Sequence, residues 1–176
     1  IEKGHSINMS IIPIEYKDVK INFIDTPGLL DFSHEMYTAI QAAAAALLIV
    51  DAGSGIQVGT EKAWNFCKEL KKPTFIMIKR KDKDTYDFDE LVQSIRDKFG
   101  AVCVPASYPI KPEMLEALNE LIAETDEELM NKYFDEGVFT DWEFNKGLRN
   151  GVAAAEIVPV FAFDPEGGQG VTAMLD

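Results

Sequence analysis

A chain of 176 residues that is 47% hydrophobic can bury one core, so one domain with a small appendage is expected. Its formal charge of −13 argues against independent binding to nucleic acid through the phosphate backbone. No apolar run approaches the ~18–20 residues of a membrane span, and Ile1-Glu2-Lys3-Gly4-His5 lacks the apolar core of a signal peptide.

The elements follow in chain order. Ser6 to Tyr16 and Val19 to Asp25 read as two strands around a tight Lys17-Asp18 turn, and Pro13 pushes the first toward an edge. Phe32 to Ala45 predicts an Ala-rich helix, followed by a buried strand over Ala46 to Ala52. Gly53-Ser54-Gly55 breaks the chain. Thr60 to Lys71 then returns as a helix with Ala63, Trp64, Cys67 and Leu70 on one face. A strand over Thr74 to Ile78, a helix over Phe88 to Phe99 and a strand over Ala101 to Pro105 come next.

After Pro109 the character changes. Met114, Leu115, Leu118, Leu121 and Ile122 have helical spacing that predicts a helix continuing toward Tyr133. A second helix over Asp141 to Asn150 is expected, N-capped by Thr140, then a strand over Ile157 to Phe163 and a short helix from Val171. Alternating β and α units with apolar strands predict an α/β fold, a mostly parallel sheet flanked by helices, with the opening hairpin as its antiparallel edge. The expected division is a core of residues 1–110 and 151–176 with an acidic helical insertion over 111–150.

Charge is concentrated in that insertion. Lys111 to Asn145 holds eleven acids against two bases, a net of −9. A solvated helical face and a docking surface for a basic protein partner both follow from such a run. Two cysteines, Cys67 and Cys103, are too few for a disulfide scaffold and point to a reduced, cytoplasmic setting.

The turn Asp25-Thr26-Pro27-Gly28 carries the chemistry. An Asp leaving a buried strand into a Pro-Gly turn can hold a Mg²⁺-bound water, and the Gly N–H can meet a terminal phosphate. The other half of such a site, a Gly-rich loop ending in Gly-Lys-Ser/Thr, does not occur in the 176 residues. With no initiator Met, the abrupt start reads as that of a fragment.

Several motifs share an order that identifies a family. They are Lys3-Gly4-His5-Ser6-Ile7, Asp25-Thr26-Pro27-Gly28 with Asp31-Phe32, and Leu48-Ile49-Val50-Asp51-Ala52. Gly55-Ile56-Gln57-Val58-Gly59-Thr60-Glu61, Asp126-Glu127-Glu128-Leu129-Met130 and Glu156-Ile157-Val158-Pro159-Val160 follow. Together they closely resemble the GTP-binding domain of bacterial translation elongation factor G and its paralogues, over nearly the whole chain. The resemblance implies a Ras-like P-loop GTPase fold, GTP or GDP and Mg²⁺ as ligands, and the ribosome as partner. It also implies that Pro112 to Asn150 is the helical part of the family's inserted subdomain.

Residue by residue, the resemblance places Ser6 at the first-switch Thr that closes on Mg²⁺, Asp25 at the water-mediated Mg²⁺ contact, and Gly28 at the phosphate N–H. Leu29 stands where the family carries a water-orienting His, and Leu can neither orient water nor accept a proton. No catalytic residue is therefore assigned, and His34 is expected to be an ordinary surface His. The base-reading Asn-Lys-x-Asp is matched by Lys79-Arg80-Lys81-Asp82. Asp82 is kept, Lys79 replaces the short amide, and Arg80 replaces the packed Lys. Phe163-Asp164-Pro165 stands where the family has Gly-Ser-Ala, and Pro165 has no N–H to offer the base. Gly167-Gly168-Gln169-Gly170 precedes no Lys-Ser/Thr pair and reads as a flexible turn.

In the family fold, the strand bearing the phosphate loop lies beside the strand that ends at Asp25. Without it, Val19 to Ile24 would pair directly with Leu47 to Val50, or an open edge would recruit a partner such as a second copy. Two functions follow: a truncated or degenerate translational GTPase domain that binds GTP or GDP weakly and hydrolyses it only if another chain completes its site, and a nucleotide-free α/β scaffold, natural or engineered, acting as a protein-interaction module. A flavin or other cofactor at the strand ends is a further option that no sequence feature requests.

Overall fold

A computed structural model describes residues 5–80, 86–106, 112–165, 168 and 170–175. Strands β1 (Ser10–Tyr16) and β2 (Val19–Asp25) form an antiparallel hairpin, with Tyr16 opposite Val19 and Ser10 opposite Asp25. Its two-residue turn puts both Lys17 (φ 46°) and Asp18 (φ 62°) in the left-handed region, the backbone twist that a two-residue hairpin favours. A 3₁₀ turn, Leu30–Phe32, leads into α1 (Ser33–Ala42).

The main sheet contains β3 (Ala46–Asp51), β4 (Thr74–Lys79), β5 (Cys103–Pro105) and β6 (Val158–Phe163). All pairings are parallel, in the order β3-β4-β6-β5. Helices α2 (Val58–Glu69) and α3 (Phe88–Phe99) make the first two crossovers. The third runs through α4 (Pro112–Glu124), α5 (Glu127–Glu136) and α6 (Asp141–Ala153), and α7 (Val171–Leu175) follows β6.

One core joins the sheet to α1, α2 and α3, with Ile76, Ile78, Val92 and Val160 fully buried and Trp64 stacked on Phe99 at 4.8 Å. The apolar side chains that alternate along β3 and β4 meet the apolar stripes of α2 and α3. A second core gathers Val104, Leu118, Ile122, Leu129 and Ile157 beneath α4 to α6. Cys67 and Cys103 are buried free thiols; burial raises both, Cys103 to about 12. No helix among the described residues is long and apolar enough to cross a membrane.

Three expectations change. The hairpin forms its own two-stranded sheet and is not the edge of the parallel one. Val19–Ile24 consequently has no pairing with Leu47–Val50, and among the described residues β3 pairs on one side only, with β4, leaving Ile49 48% exposed. An apolar run specifies that it will be covered, but the path of the connecting chain decides by what. Here the connection passes through α1, which packs on α2, and β3 takes β4 as its partner.

The helix begun at Pro112 ends at Glu124 instead of running to Tyr133. Asp126 stops it: its carboxylate accepts the Glu128 N–H at 2.8 Å and caps a new helix, a local bond that competes with continuing the old one. The first strand begins at Ser10, not at Ser6.

The second helix of this unit matches its sequence signal. Thr140 and Glu143 form a capping box, and Lys132 of α5 reaches Glu143 at 2.8 and 2.9 Å. That ion pair and the Thr140 bonds hold the Glu143 carboxyl down at about 2.

Candidate nucleotide site

The turn Asp25–Gly28 leaves the end of β2 with Asp25 and Gly28 exposed and Pro27 buried. Pro27 anchors the turn while its neighbours face solvent. The Gly28 carbonyl oxygen lies 3.8 Å from where a Cβ on Gly59 would sit, so the turn passes over the first turn of α2. Nothing lies within 4 Å of a Cβ built on Gly28, which leaves its backbone accessible to a ligand.

Helix α2 begins just past the carboxyl end of β3, so the turn shares one side of the molecule with the carboxyl ends of the parallel strands. Lys79 ends β4 there, in register with Asp51 of β3 and Phe163 of β6. Its carbonyl accepts the Ala52 N–H at 3.0 Å, and the Arg80 N–H donates to the Phe163 carbonyl at 2.9 Å. Lys79 and Arg80 are half-buried, and Arg80 Nε is buried with no hydrogen-bond partner among the described residues. Open α/β sheets bind ligands outside the carboxyl ends of their strands, as this arrangement allows.

Ser6 is exposed and lies beyond the β1 end that faces Asp25. The register thus sends Ser6 past the same end of the hairpin as the Asp25 turn, with Met9 N–H tied to Glu35 at 3.1 Å. Lys81 and Asp82 lie outside the described residues, as do Gly167 and Gln169. His34 is on the surface, 3.6 Å from Glu35.

Sequence reasoning missed Asp51. Its carboxylate accepts the Gly53 and Ser54 N–H groups at 3.0 and 3.1 Å, fixing the loop between β3 and α2. An Asp at a strand end followed by Gly-Ser-Gly is the signal that could have shown it.

The oxygen donors fit a Mg²⁺ ion that arrives with phosphate. Mg²⁺ binds through one or two protein groups plus waters and phosphate oxygens, and the exposed Asp25 carboxylate suits that role. Among the described residues no cluster of three carboxylate, His or Cys groups forms a protein cage for a metal. Pro165, two residues after the end of β6, brings no N–H to the carboxyl ends of the strands. A separate groove of ≈ 620 Å³ between α2 and α3, lined by Glu61, Gln93 and Lys98 among others, contains none of these residues.

The four-stranded parallel sheet flanked by helices is the fold of a P-loop GTPase domain, as the comparisons show. The model of the elongation factor Tu GTP binding domain matches residues 1–176. An "Elongation factor G-like protein" of Thermotoga maritima is 30% identical over 209 residues, covering 99% of this chain and 30% of that protein. A crystal structure of a Thermus thermophilus protein superposes with a TM-score of 0.85 at 26% identity, covering 97% of this chain and 31% of that one. The chain belongs to the elongation factor Tu GTP-binding-domain family, as a translational GTPase domain of the elongation factor G type. It spans about a third of the length of these relatives.

Proposed function

We propose that this chain is the guanine-nucleotide part of a ribosome-acting factor of the elongation factor G type, working in the cytoplasm. Asp25 holds a water on Mg²⁺, Ser6 adds a hydroxyl, and the Gly28 N–H meets the terminal phosphate. Lys79, Arg80 and Asp82 flank the base. Residues 111–150 form the acidic helical insertion of residues 1–110 and 151–176.

The observation that carries this reading is the accessible Asp25–Gly28 turn lying over the start of α2, beside the carboxyl ends of β3, β4 and β6. Phosphoryl transfer depends on positioning and charge stabilisation, and a phosphate loop supplies most of both. With no such loop in these 176 residues and Leu29 beside Gly28, hydrolysis needs a segment outside them to complete the site. By itself the chain holds Mg²⁺-nucleotide weakly and does not turn it over.

The test is titration of the purified chain with fluorescent GDP and GTP in Mg²⁺, with Asp25→Ala and Asp82→Ala in parallel. Saturable binding that both substitutions weaken supports the half-site. No binding up to millimolar nucleotide overturns it and leaves the nucleotide-free scaffold.

A further inference from the structure

Glu35 is not one of the residues assigned to nucleotide or Mg²⁺, yet its side chain joins two of the segments that carry them. Its Oε2 accepts the Met9 N–H at 3.1 Å, a bond between residues 26 positions apart. Glu35 lies in the first turn of α1, and its side chain is only 21% exposed. The other oxygen, Oε1, stands 3.6 Å from the ring of the exposed His34. A carboxylate bonded to a backbone N–H is a charge-assisted pair, stronger than a neutral one.

This bond spans the end of the hairpin where Asp25 stands. Met9 immediately precedes Ser10, which pairs with Asp25 at the last rung of the ladder. Ser6 lies three residues before Met9 and is exposed. Residues 6–9 belong to no helix or strand, so tying Met9 to a packed helix restricts where Ser6 can stand. From the other side, Gly28 is joined to α1 through the 3₁₀ turn Leu30–Phe32, in which the Phe32 N–H donates to the Leu29 carbonyl at 3.0 Å. The position of Gly28 is thus carried along a short, bonded path to Glu35, and from Glu35 to Met9.

We propose that Glu35 is a positioning residue that holds the Ser6 segment to the Asp25–Gly28 turn, so that both respond together to a third phosphate. The inference rests on the nucleotide reading given above. A third phosphate on the Gly28 N–H fixes the 3₁₀ turn and the start of α1. Through Met9 the same contact confines Ser6 to the hairpin end that carries Asp25. A nucleoside diphosphate makes no such contact, so Glu35 then has nothing to transmit.

Fluorescent GTP and GDP are titrated in Mg²⁺ against the intact chain, Glu35→Ala, Glu35→Gln, Ser6→Ala and the double variant Ser6→Ala/Glu35→Ala. Hydrogen exchange of the Met9 amide, read by NMR without nucleotide, reports the bond itself. That amide should be protected in the intact chain and in Glu35→Gln, whose side-chain oxygen still accepts it, and exchange fast in Glu35→Ala. Glu35→Ala should weaken GTP about tenfold and GDP by less than about twofold, the scale of one hydrogen bond to a charged group. Glu35→Gln should recover most of the loss. In the Ser6→Ala background Glu35→Ala should cost little more, because it acts through Ser6. Equal weakening of GTP and GDP makes Glu35 a fold-stabilising residue alone and overturns the proposal. A full second loss in the Ser6→Ala background, or an unprotected Met9 amide in the intact chain, also overturns it. If the intact chain binds neither nucleotide, the nucleotide reading itself fails and this role falls with it.

Discussion

Gly151 gives the sharpest test of how the helical unit packs on the sheet. It is buried in the last turns of α6, at a backbone conformation open to any residue, so only its surroundings restrict it. A Cβ there would meet Ile157 Cδ1 at 2.5 Å, Ile157 Cγ1 at 2.7 Å and Thr125 Cγ2 at 3.0 Å. Ile157 is fully buried at 0% exposure and has little room to move aside.

On an open helix surface Gly→Ala stabilises by about 1 kcal/mol. Overpacking a filled core costs about 1–3 kcal/mol. Gly151→Ala should therefore leave stability unchanged or lower it by up to about 2 kcal/mol. Ile157→Ala alone should cost about 2–5 kcal/mol through the cavity it leaves. In the Ile157→Ala background the two Ile157 atoms are gone and only Thr125 Cγ2 at 3.0 Å remains close, so adding Gly151→Ala should raise stability by up to about 1 kcal/mol. Urea unfolding followed by far-UV circular dichroism measures all four corners of this cycle. A Gly151→Ala effect with the same sign and size in both backgrounds would refute the packing of α6 against Ile157.

Two further outcomes concern helix ends and pH. Ala155, at φ 60°, closes α6 in a Schellman motif, with its N–H on the Val152 carbonyl at 3.0 Å and the Glu156 N–H on the Gly151 carbonyl at 2.9 Å. Ala155→Gly should add about 1 kcal/mol of unfolding free energy in the same urea assay, since Gly adopts this conformation without steric cost. Glu143 has its folded-state carboxyl lowered to about 2, first by Lys132 and then by Thr140. A depressed carboxyl stabilises the fold above its unfolded value and loses that contribution as pH falls toward 2. Glu143→Gln should therefore lower stability at neutral pH and flatten the acid limb of a stability–pH profile.

The parallel sheet is legible in the sequence because its strands are short apolar runs separated by helices with clear stripes. The Phe88–Phe99 helix is legible to the residue, since Asp87 caps it through two N–H groups and Gly100 follows it. Helix ends without Gly are harder to see. Lys71, at φ 47°, closes α2 with the Lys72 N–H on the Cys67 carbonyl, a conformation that Lys does not advertise. Strand partners are less legible still. The alternation in Val19–Asp25 announces a strand but not its neighbour, because pairing depends on where the intervening chain travels. At the site, Asp25 and Gly28 can be placed from a strand ending in a Pro-Gly turn. The part of Asp51 emerges only from the loop it fixes, and Arg80's buried nitrogen has no sequence signature.

The strand order carries a consequence for biosynthesis. β6 follows both β4 and β5 in the chain, yet among the described residues it lies between them and joins them. Until residues 158–163 emerge, β5 has no ladder and β4 has one bare side. The α4–α6 unit, built from near-neighbour contacts, can form while the sheet still waits. While the residues between β5 and β6 are being made, the growing chain thus exposes an apolar strand edge, the kind of surface that chaperones cover. A nascent chain released before Val158 would carry a formed helical tip on an open sheet.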